Sequence, residues 1–289
     1  MLGIITRRRL FLAVALVGLI AVACGSAQSS PASSGATPTS ESPTQAPTPF
    51  GPSVQTPSPD PDPTPTPTPG SLGLTVVDTS IASVPLDQIV FDDLDTGLLF
   101  RLTDATDEAI LQLRDRIPPL NNPEYVKADE VDYLDPDDLV LGYSAGGEHY
   151  AYPFQLLNFH EFVNDELDGI PVLVSYCPLC RSGVVFDRRV DGQTLSFGNT
   201  NALYENNAVA YDRETGSYWL QAAGEAIVGP LTGRRMRPLP SVTTTWEEWK
   251  SLHPDTRVLS INTGYLAPYD IDYFAGYENL VNASRFSFP

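Results

Sequence analysis

The stretch PVLVSYCPLCRSGVVFDR, residues 171–188, decides the fold of this chain. Residues 170–176 form a nearly continuous apolar run, which is typical of a buried strand. A second apolar segment, residues 183–190, follows after a short turn. Cys177 and Cys180 lie in that turn, and they are the only cysteines after Cys24. The stretch therefore predicts two buried strands joined by a turn that carries a pair of thiols.

The remainder of the folded region also has the pattern of short strands separated by turns. Residues 145–147 (Ala-Gly-Gly) and 191–192 (Asp-Gly) each separate two strand-like segments. Asp-Gly favours a hairpin there because both residues tolerate positive φ. A further hairpin is predicted around residues 230–233. The sequence therefore predicts a mainly β (α+β) fold of antiparallel hairpins, sandwich-like or barrel-like, with a few short helices.

Two helices are predicted. Residues 153–165 begin with proline, which suits a first helical turn, and their spacing places His160 on a largely apolar face. Thr245 and Glu248 form a capping-box pattern at the start of the second helix, which carries a tryptophan stripe.

The N-terminus has the pattern of an export signal. Residues 7–9 are arginines, residues 10–23 are apolar, and Cys24 follows. The apolar run is shorter than the roughly 20 residues of a membrane span. The segment before Cys24 resembles a bacterial lipobox, which implies cleavage after residue 23 and a lipid on the Cys24 sulfur. The expected location is the extracytoplasmic face of the cell membrane, and the export route stays open because residues 8–12 also resemble a twin-arginine signal.

Composition divides the remaining chain into a linker and a domain. Residues 24–71 are rich in proline, serine and threonine and poor in large apolar residues, so a disordered spacer is predicted. Residues 72–289 are long enough for one globular domain with its own core. The formal net charge of −19 leaves no basic patch for phosphates, so nucleic acid is not expected as a partner. The sequence identifies no protein partner.

Three functions of the Cys177–Cys180 pair are open on the residues alone. The first choice is a soft transition metal, zinc or copper, held by both thiols and His160. A fourth ligand would come from His149, His253, a carboxylate or solvent. The alternatives are a thiol–disulfide oxidoreductase and a non-catalytic binding or scaffold module with a structural disulfide. Whether the protein is an enzyme stays open at this point.

Several long motifs occur in an order that resembles a known family of bacteria and archaea, the domain-of-unknown-function family 3179. The resemblance covers about residues 121–260, and the motifs that carry it are AYPFQLLNFHEFVND (151–165), PVLVSYCPLCRSGVVFDR (171–188), YDRETGSYWLQAAGEAIVGPLTG (211–233) and WEEWKSLHPDTRVL (246–259). The family supplies no activity.

The resemblance implies a set of signature residues, namely His160, Glu161, Cys177, Cys180, Trp219, Gln221, Gly224 and Glu225. It therefore favours joint action of His160 and the two cysteines, with Glu161 as a neighbour that orients or titrates. Similar proteins often continue past the equivalent of NASRFSFP (282–289), which leaves open whether a terminal β segment follows.

Overall fold

The computed structural model of the chain describes residues 76–93, 96–272 and 274. The predicted signal sequence (1–23), Cys24 and the predicted linker (24–71) lie outside the described residues. Within them, no helix has the length and apolar character needed to cross a membrane.

Strands predominate in the described residues, in agreement with the predicted fold class. They are β1 (Val90–Asp93), β2 (Leu98–Arg101), β3 (Leu120–Asn121), β4 (Tyr125–Lys127), β5 (Leu139–Ala145), β6 (Glu148–Pro153), β7 (Phe162–Leu167), β8 (Ile170–Cys177), β9 (Ser182–Asp187), β10 (Arg189–Val190), β11 (Gln193–Thr194), β12 (Phe197–Tyr204), β13 (Asn207–Asp212), β14 (Tyr218–Leu220), β15 (Glu225–Val228), β16 (Arg237–Leu239), β17 (Ser241–Thr245) and β18 (Arg257–Leu259). The helices are α1 (Asp107–Leu113), α2 (Phe154–His160) and α3 (Trp246–Leu252), with short 3₁₀ turns at Leu86–Gln88 and Leu102–Asp104.

These strands form three larger sheets and one small ribbon. The first sheet has the order β15-β14-β13-β12-β1-β2, the second β16-β9-β8-β7-β3 and the third β17-β5-β6-β18-β4, while β10 and β11 pair with each other. Most neighbouring strands are antiparallel, and the exceptions are the β3–β7 and β6–β18 pairs. The sheets are therefore the hairpin-rich type that the sequence predicts.

Strand β8 lies in the second sheet, which is called the central sheet below because it shares a core with each of the other two larger sheets. The strand contributes to both of these cores. Leu173 and Cys177 belong to the core shared with the first sheet, which also contains Trp219. Val172 and Val174 belong to the core shared with the third sheet and α2. Successive side chains of a strand point to opposite faces, so this strand is buried on both of them. Its continuous apolar run is thus the direct consequence of its position between two layers.

The helix predicted over residues 153–165 is shorter than expected. Helix α2 ends at His160, and Glu161 takes φ 54° and ψ −38°, which no helix can continue. Residues Phe162–Leu167 instead form β7, which pairs with β8 along its whole length. Helical spacing was the wrong interpretation for this second half, because strand pairing inside the core outweighs local propensity.

The hairpin predictions are confirmed at residues 145–147 and 191–192, where β5 pairs with β6 and β10 with β11. The prediction around residues 230–233 is only partly correct. Glu225 and Arg235 form an isolated bridge, but the following strand β16 pairs with β9 of the central sheet. The chain therefore crosses from one sheet to another here.

Helix α3 begins as its sequence predicts. The Thr245 side chain accepts a hydrogen bond from the Glu248 backbone N–H, which satisfies one of the unpaired donors of the first turn. Trp249 packs over Gly142 of β5, where any added Cβ would lie 2.3 Å from the indole ring. Gly142 therefore allows the helix to pack closely on the third sheet.

Candidate thiol site

The two cysteines occupy the turn between β8 and β9. Cys177 is the last residue of β8 and is paired with Ser182, the first residue of β9. Both thiols are free, but they differ in environment: Cys177 is fully buried, whereas Cys180 is exposed. The predicted hairpin turn is confirmed, and it separates one thiol that solvent reaches from one that it does not.

Polar side chains surround the Cys180 sulfur. The Asn207 Nδ2 group donates to Cys180 Sγ at 3.1 Å, and Ser182 Oγ lies 3.2 Å from the same sulfur. Cys177 adjoins this sulfur: Cys180 Sγ lies 3.9 Å from the Cys177 carbonyl oxygen, and the Cys177 thiol lowers the pKa of Cys180. Hydrogen bonds to the charged form stabilise it, so these three groups favour a thiolate at Cys180.

A chain of buried hydrogen bonds fixes the orientation of Gln221. Ser175 Oγ donates to the Val184 carbonyl oxygen at 2.9 Å, so its oxygen is available as an acceptor. Gln221 Nε2 donates to Ser175 Oγ at 3.0 Å. Gln221 Oε1 is therefore the acceptor for Asn207 Nδ2, at 3.0 Å. Gln221 is almost completely buried, at 3% exposed.

Asn207 is held from its other side as well. Its Oδ1 accepts from the backbone N–H of Ala222 at 2.9 Å. The amide oxygen is thereby occupied, and the amide nitrogen must face Gln221 and Cys180. The Asn207 amide group is therefore held with its N–H pointing at Cys180 before any reaction takes place.

The same contacts separate the pKa values of the two thiols. Hydrogen bonding from Cys177 is the main cause that lowers the pKa of Cys180 to about 6; Ser182 and Asn207 add to it, and desolvation opposes it. The pKa of Cys177 is raised well above that of an ordinary thiol, first by its hydrogen bond to Cys180 and then by burial. The proton of the pair is thus held on Cys177, and the charge is on Cys180.

Glu161 is a buried carboxyl group in the same region. It is 8% exposed, and Asn199 Nδ2 donates to its Oε2 at 2.6 Å. Its backbone oxygen accepts from the N–H of Tyr176, which places it across the ladder from the end of β8. Burial raises the pKa of Glu161 to about 8, the Asn199 bond opposes the shift, and the charge of Cys180 adds to it. At neutral pH this carboxyl group is mostly protonated.

His160 is buried on the inward face of α2, as predicted, but the structure does not bring it to the cysteines. Its Nδ1–H donates to the Pro118 carbonyl oxygen at 2.8 Å. Its Nε2 lies 2.6 Å from the Tyr269 hydroxyl, which in turn lies 2.5 Å from Thr263 Oγ1. Burial lowers the pKa of His160, so the neutral ring accepts the Tyr269 proton.

The predicted trio of metal ligands is therefore not assembled. In the described part of the chain, no three His, Cys, Asp or Glu side chains are arranged to hold a metal ion. His149 and His253, the further candidate ligands, stack on each other with ring centroids 3.8 Å apart, next to Trp249 of α3. This pair packs beside the third sheet, whereas Cys177 faces the first sheet.

The other signature residues have different positions. Trp219 shares a core with Cys177, and its Nε1–H donates to Asp212 at 2.8 Å. Gly224 has φ 59°, and a Cβ there would lie 2.5 Å from the Phe186 ring. Glu225 forms an ion pair with Arg235 instead of contributing to the thiol site. Of these signature residues, Gln221 accepts a hydrogen bond from Asn207, the residue that donates to Cys180.

Sequence reasoning missed Ser175, Ser182, Asn199 and Asn207. A signal was present for Ser175, because it is a polar residue inside a continuous apolar run and buried polar groups need hydrogen-bond partners. Asn207 carried no comparable signal, since an asparagine next to a turn is ordinary.

The chain belongs to the family described as Protein of unknown function (DUF3179), whose model matches residues 114–289. The match begins before the resemblance drawn from the motifs and extends to the last residue. Neither the curated proteins nor the solved structures contain a significant match.

Proposed function

We propose that the chain is a thiol–disulfide exchange protein in which Cys180 is the attacking thiol and Cys177 the resolving thiol. The observation that carries this proposal is the contrast between the two sulfurs. Cys180 is exposed, accepts a hydrogen bond from Asn207 and lies 3.2 Å from the Ser182 hydroxyl, whereas Cys177 is buried beside it. Attack on a disulfide requires an accessible, ionised sulfur, which is the state that these contacts favour.

The exchange proceeds in two steps. The Cys180 thiolate attacks one sulfur of a substrate disulfide, forms a mixed disulfide and releases the other substrate sulfur as a thiolate. Cys177 then attacks Cys180 Sγ and releases the second substrate sulfur as a thiolate, and the protons lost by Cys180 and Cys177 are taken up, through solvent, by the two substrate sulfurs. The substrate disulfide gains two electrons and becomes two thiols, and the Cys177–Cys180 pair loses two electrons and becomes a disulfide.

Binding of zinc or copper by the same two thiols remains a prediction. Thiolates are ligands that both metals prefer. The exchange reaction is the better supported of the two functions, because both ring nitrogens of His160 already have other partners.

The first prediction concerns the reactivity of Cys180 and is tested on the full-length chain with Cys24→Ser. Only two thiols then remain, because the chain has three cysteines. The iodoacetamide reaction at Cys180 should reach half its maximal rate near pH 6, and Asn207→Ala should raise that midpoint. The shift should be about one pH unit, because the variant removes one donor to the thiolate. Asn262→Ala, which removes a bond to Glu124 elsewhere, should leave the midpoint unchanged.

The same protein should reduce a small disulfide such as oxidised glutathione. A Cys177→Ala variant should stop at the mixed disulfide on Cys180, which mass spectrometry detects. If Cys180 instead titrates in the ordinary thiol range, about pH 8.5, and forms no mixed disulfide, the proposal is wrong. Stoichiometric zinc or copper lost in Cys177→Ser and Cys180→Ser would then identify the alternative.

A further inference from the structure

A polar cavity of about 410 Å³ lies beside the thiol turn. Arg181, the residue after Cys180, contributes to its wall, and the Arg181 guanidinium lies 3.1 Å from the Asp272 carboxylate. The cavity is therefore within the length of one arginine side chain of Cys180. Its volume is in the range of pockets that enclose small ligands or side chains.

The cavity lining is strongly acidic. Among the residues that the structure describes, its carboxylates belong to Asp135, Asp137, Asp138, Asp270 and Asp272, and its one basic side chain is Arg181. In the described ranges, the carboxylates of Asp135, Asp137 and Asp270 have no hydrogen-bond or ion-pair partner, whereas Asp272 is paired with Arg181. The lining therefore has an excess of negative charge that a cationic ligand would neutralise.

A second, independent feature points to a hydrogen-bond donor as the ligand. Asn158 of α2 lines the cavity and is only 8% exposed. Its Nδ2 group donates to Asp272 at 3.3 Å, but its Oδ1 has no partner among the described residues. Buried acceptors are nearly always paired, so an orphan acceptor at a cavity wall is a position for an incoming N–H group.

Aromatic side chains also contribute to the cavity lining. Tyr133, Phe154 and Tyr269 line the same cavity. Aromatic faces attract organic cations, and a guanidinium group combines this stacking with a fork of N–H donors for carboxylates. Acidic side chains, an unpaired carbonyl oxygen and aromatic walls together suit an arginine side chain.

We propose that this cavity binds an arginine side chain of the polypeptide whose disulfide reacts at Cys180. The claim that the arginine belongs to the disulfide substrate rests on the proposed exchange function, whereas binding of the guanidinium group does not. Arg181 connects the two sites, since it is next to the attacking thiol and contacts the acidic wall.

The binding part is tested without thiol chemistry, on the full-length chain with Cys180→Ser. The probe is N-acetyl-arginine amide, and N-acetyl-citrulline amide is its neutral control of nearly equal shape. NMR titration should show binding of the arginine compound that is at least about fivefold tighter, as expected for an exposed charge pair. Asp137→Asn with Asp270→Asn should abolish the difference, whereas Asn158→Leu should weaken the binding of both compounds, because citrulline also has N–H groups that the Asn158 oxygen can accept.

Asp255→Asn is the matched control, because Asp255 lines a different polar cavity next to Arg257. This variant should keep the preference for arginine. Equal affinity for the two compounds, or a preference that survives the substitutions of Asp137 and Asp270, would overturn the cation site.

The claim that the arginine belongs to the disulfide substrate is tested with two disulfide peptides, which differ only in having arginine or citrulline near the cysteine. The arginine peptide should react faster with wild-type Cys180, and added salt should reduce its advantage. Equal rates would overturn the link to the substrate while the cation site stands. If neither peptide reacts but N-acetyl-arginine amide binds, the exchange function has failed and the cation site has not.

Discussion

Cys177 and Cys180 are the same residue type three positions apart, yet the fold gives them opposite properties. Cys177 is at the end of a strand and points into the core between two sheets. Cys180 lies in the turn, where Asn207 reaches it from another sheet. The contact with the buried Cys177, and then the position of a distant asparagine, therefore set which sulfur is charged.

Glu161 is the residue whose titration should affect folding most clearly. Its pKa is about 8 in the folded chain against an ordinary value of 4.5, so the folded state holds an extra proton between these values. Stability therefore falls as pH rises through this range, by at most about 5 kcal/mol. Glu161→Gln keeps an acceptor for Asn199 but cannot ionise. Its free energy of unfolding, relative to that of the wild type, should rise from pH 5 to pH 8.5.

Urea denaturation at the two pH values measures this effect. Cys180 changes stability in the opposite direction, because its pKa is lowered in the folded state, but both proteins retain Cys180 and its contribution largely cancels. Glu166→Gln, at an exposed position of β7, is the control. A difference between wild type and Glu161→Gln that does not change with pH would contradict a buried, protonated Glu161.

At the scale of elements, sequence patterns predicted the structure correctly where the interacting residues lie within a few positions of each other. The cap of α3 and the Asp191-Gly192 hairpin formed as predicted, because each depends on neighbouring residues. The end of α2 did not, because Phe162–Leu167 gains a full ladder of hydrogen bonds with β8. Long-range pairing decided the state of a segment whose own pattern was ambiguous.

The α3 cap gives an element-scale prediction. Thr245→Ala should lower the free energy of unfolding by about 1 kcal/mol, because the Glu248 N–H loses its acceptor. Thr243→Ala, at an exposed position of β17, should cost less. Chemical denaturation of both variants provides the comparison, and equal losses would show that the cap contributes little.

At the scale of the whole molecule, the central sheet is shared by two cores. Trp219 and Cys177 meet on one side, and Val174 and Tyr152 meet on the other. The buried residues of both cores come from position 120 onward, so the folded region should not depend on the N-terminal segment.

The corresponding prediction is that residues 72–289 unfold cooperatively by themselves. Their melting temperature should agree with that of the full-length chain to within about 2 °C, which is less than a change of 1 kcal/mol produces in a domain of this size. Calorimetry on both proteins checks this. A broad transition or a markedly lower melting temperature for residues 72–289 would show that the preceding segment contributes to stability.

The sequence by itself determined the mainly β class, the family, the thiol turn and the cap of α3. The class, the turn and the cap each depend on a pattern that neighbouring residues define, whereas the family follows from the resemblance of its long motifs. The tertiary structure alone decided which polar groups meet. His160 bonds to Pro118 and Tyr269, which are 42 and 109 residues away, and Asn207 reaches Cys180 from 27 residues away. Buried polar groups are nearly always paired, but the partner is chosen by the packing of distant segments, which no local pattern contains.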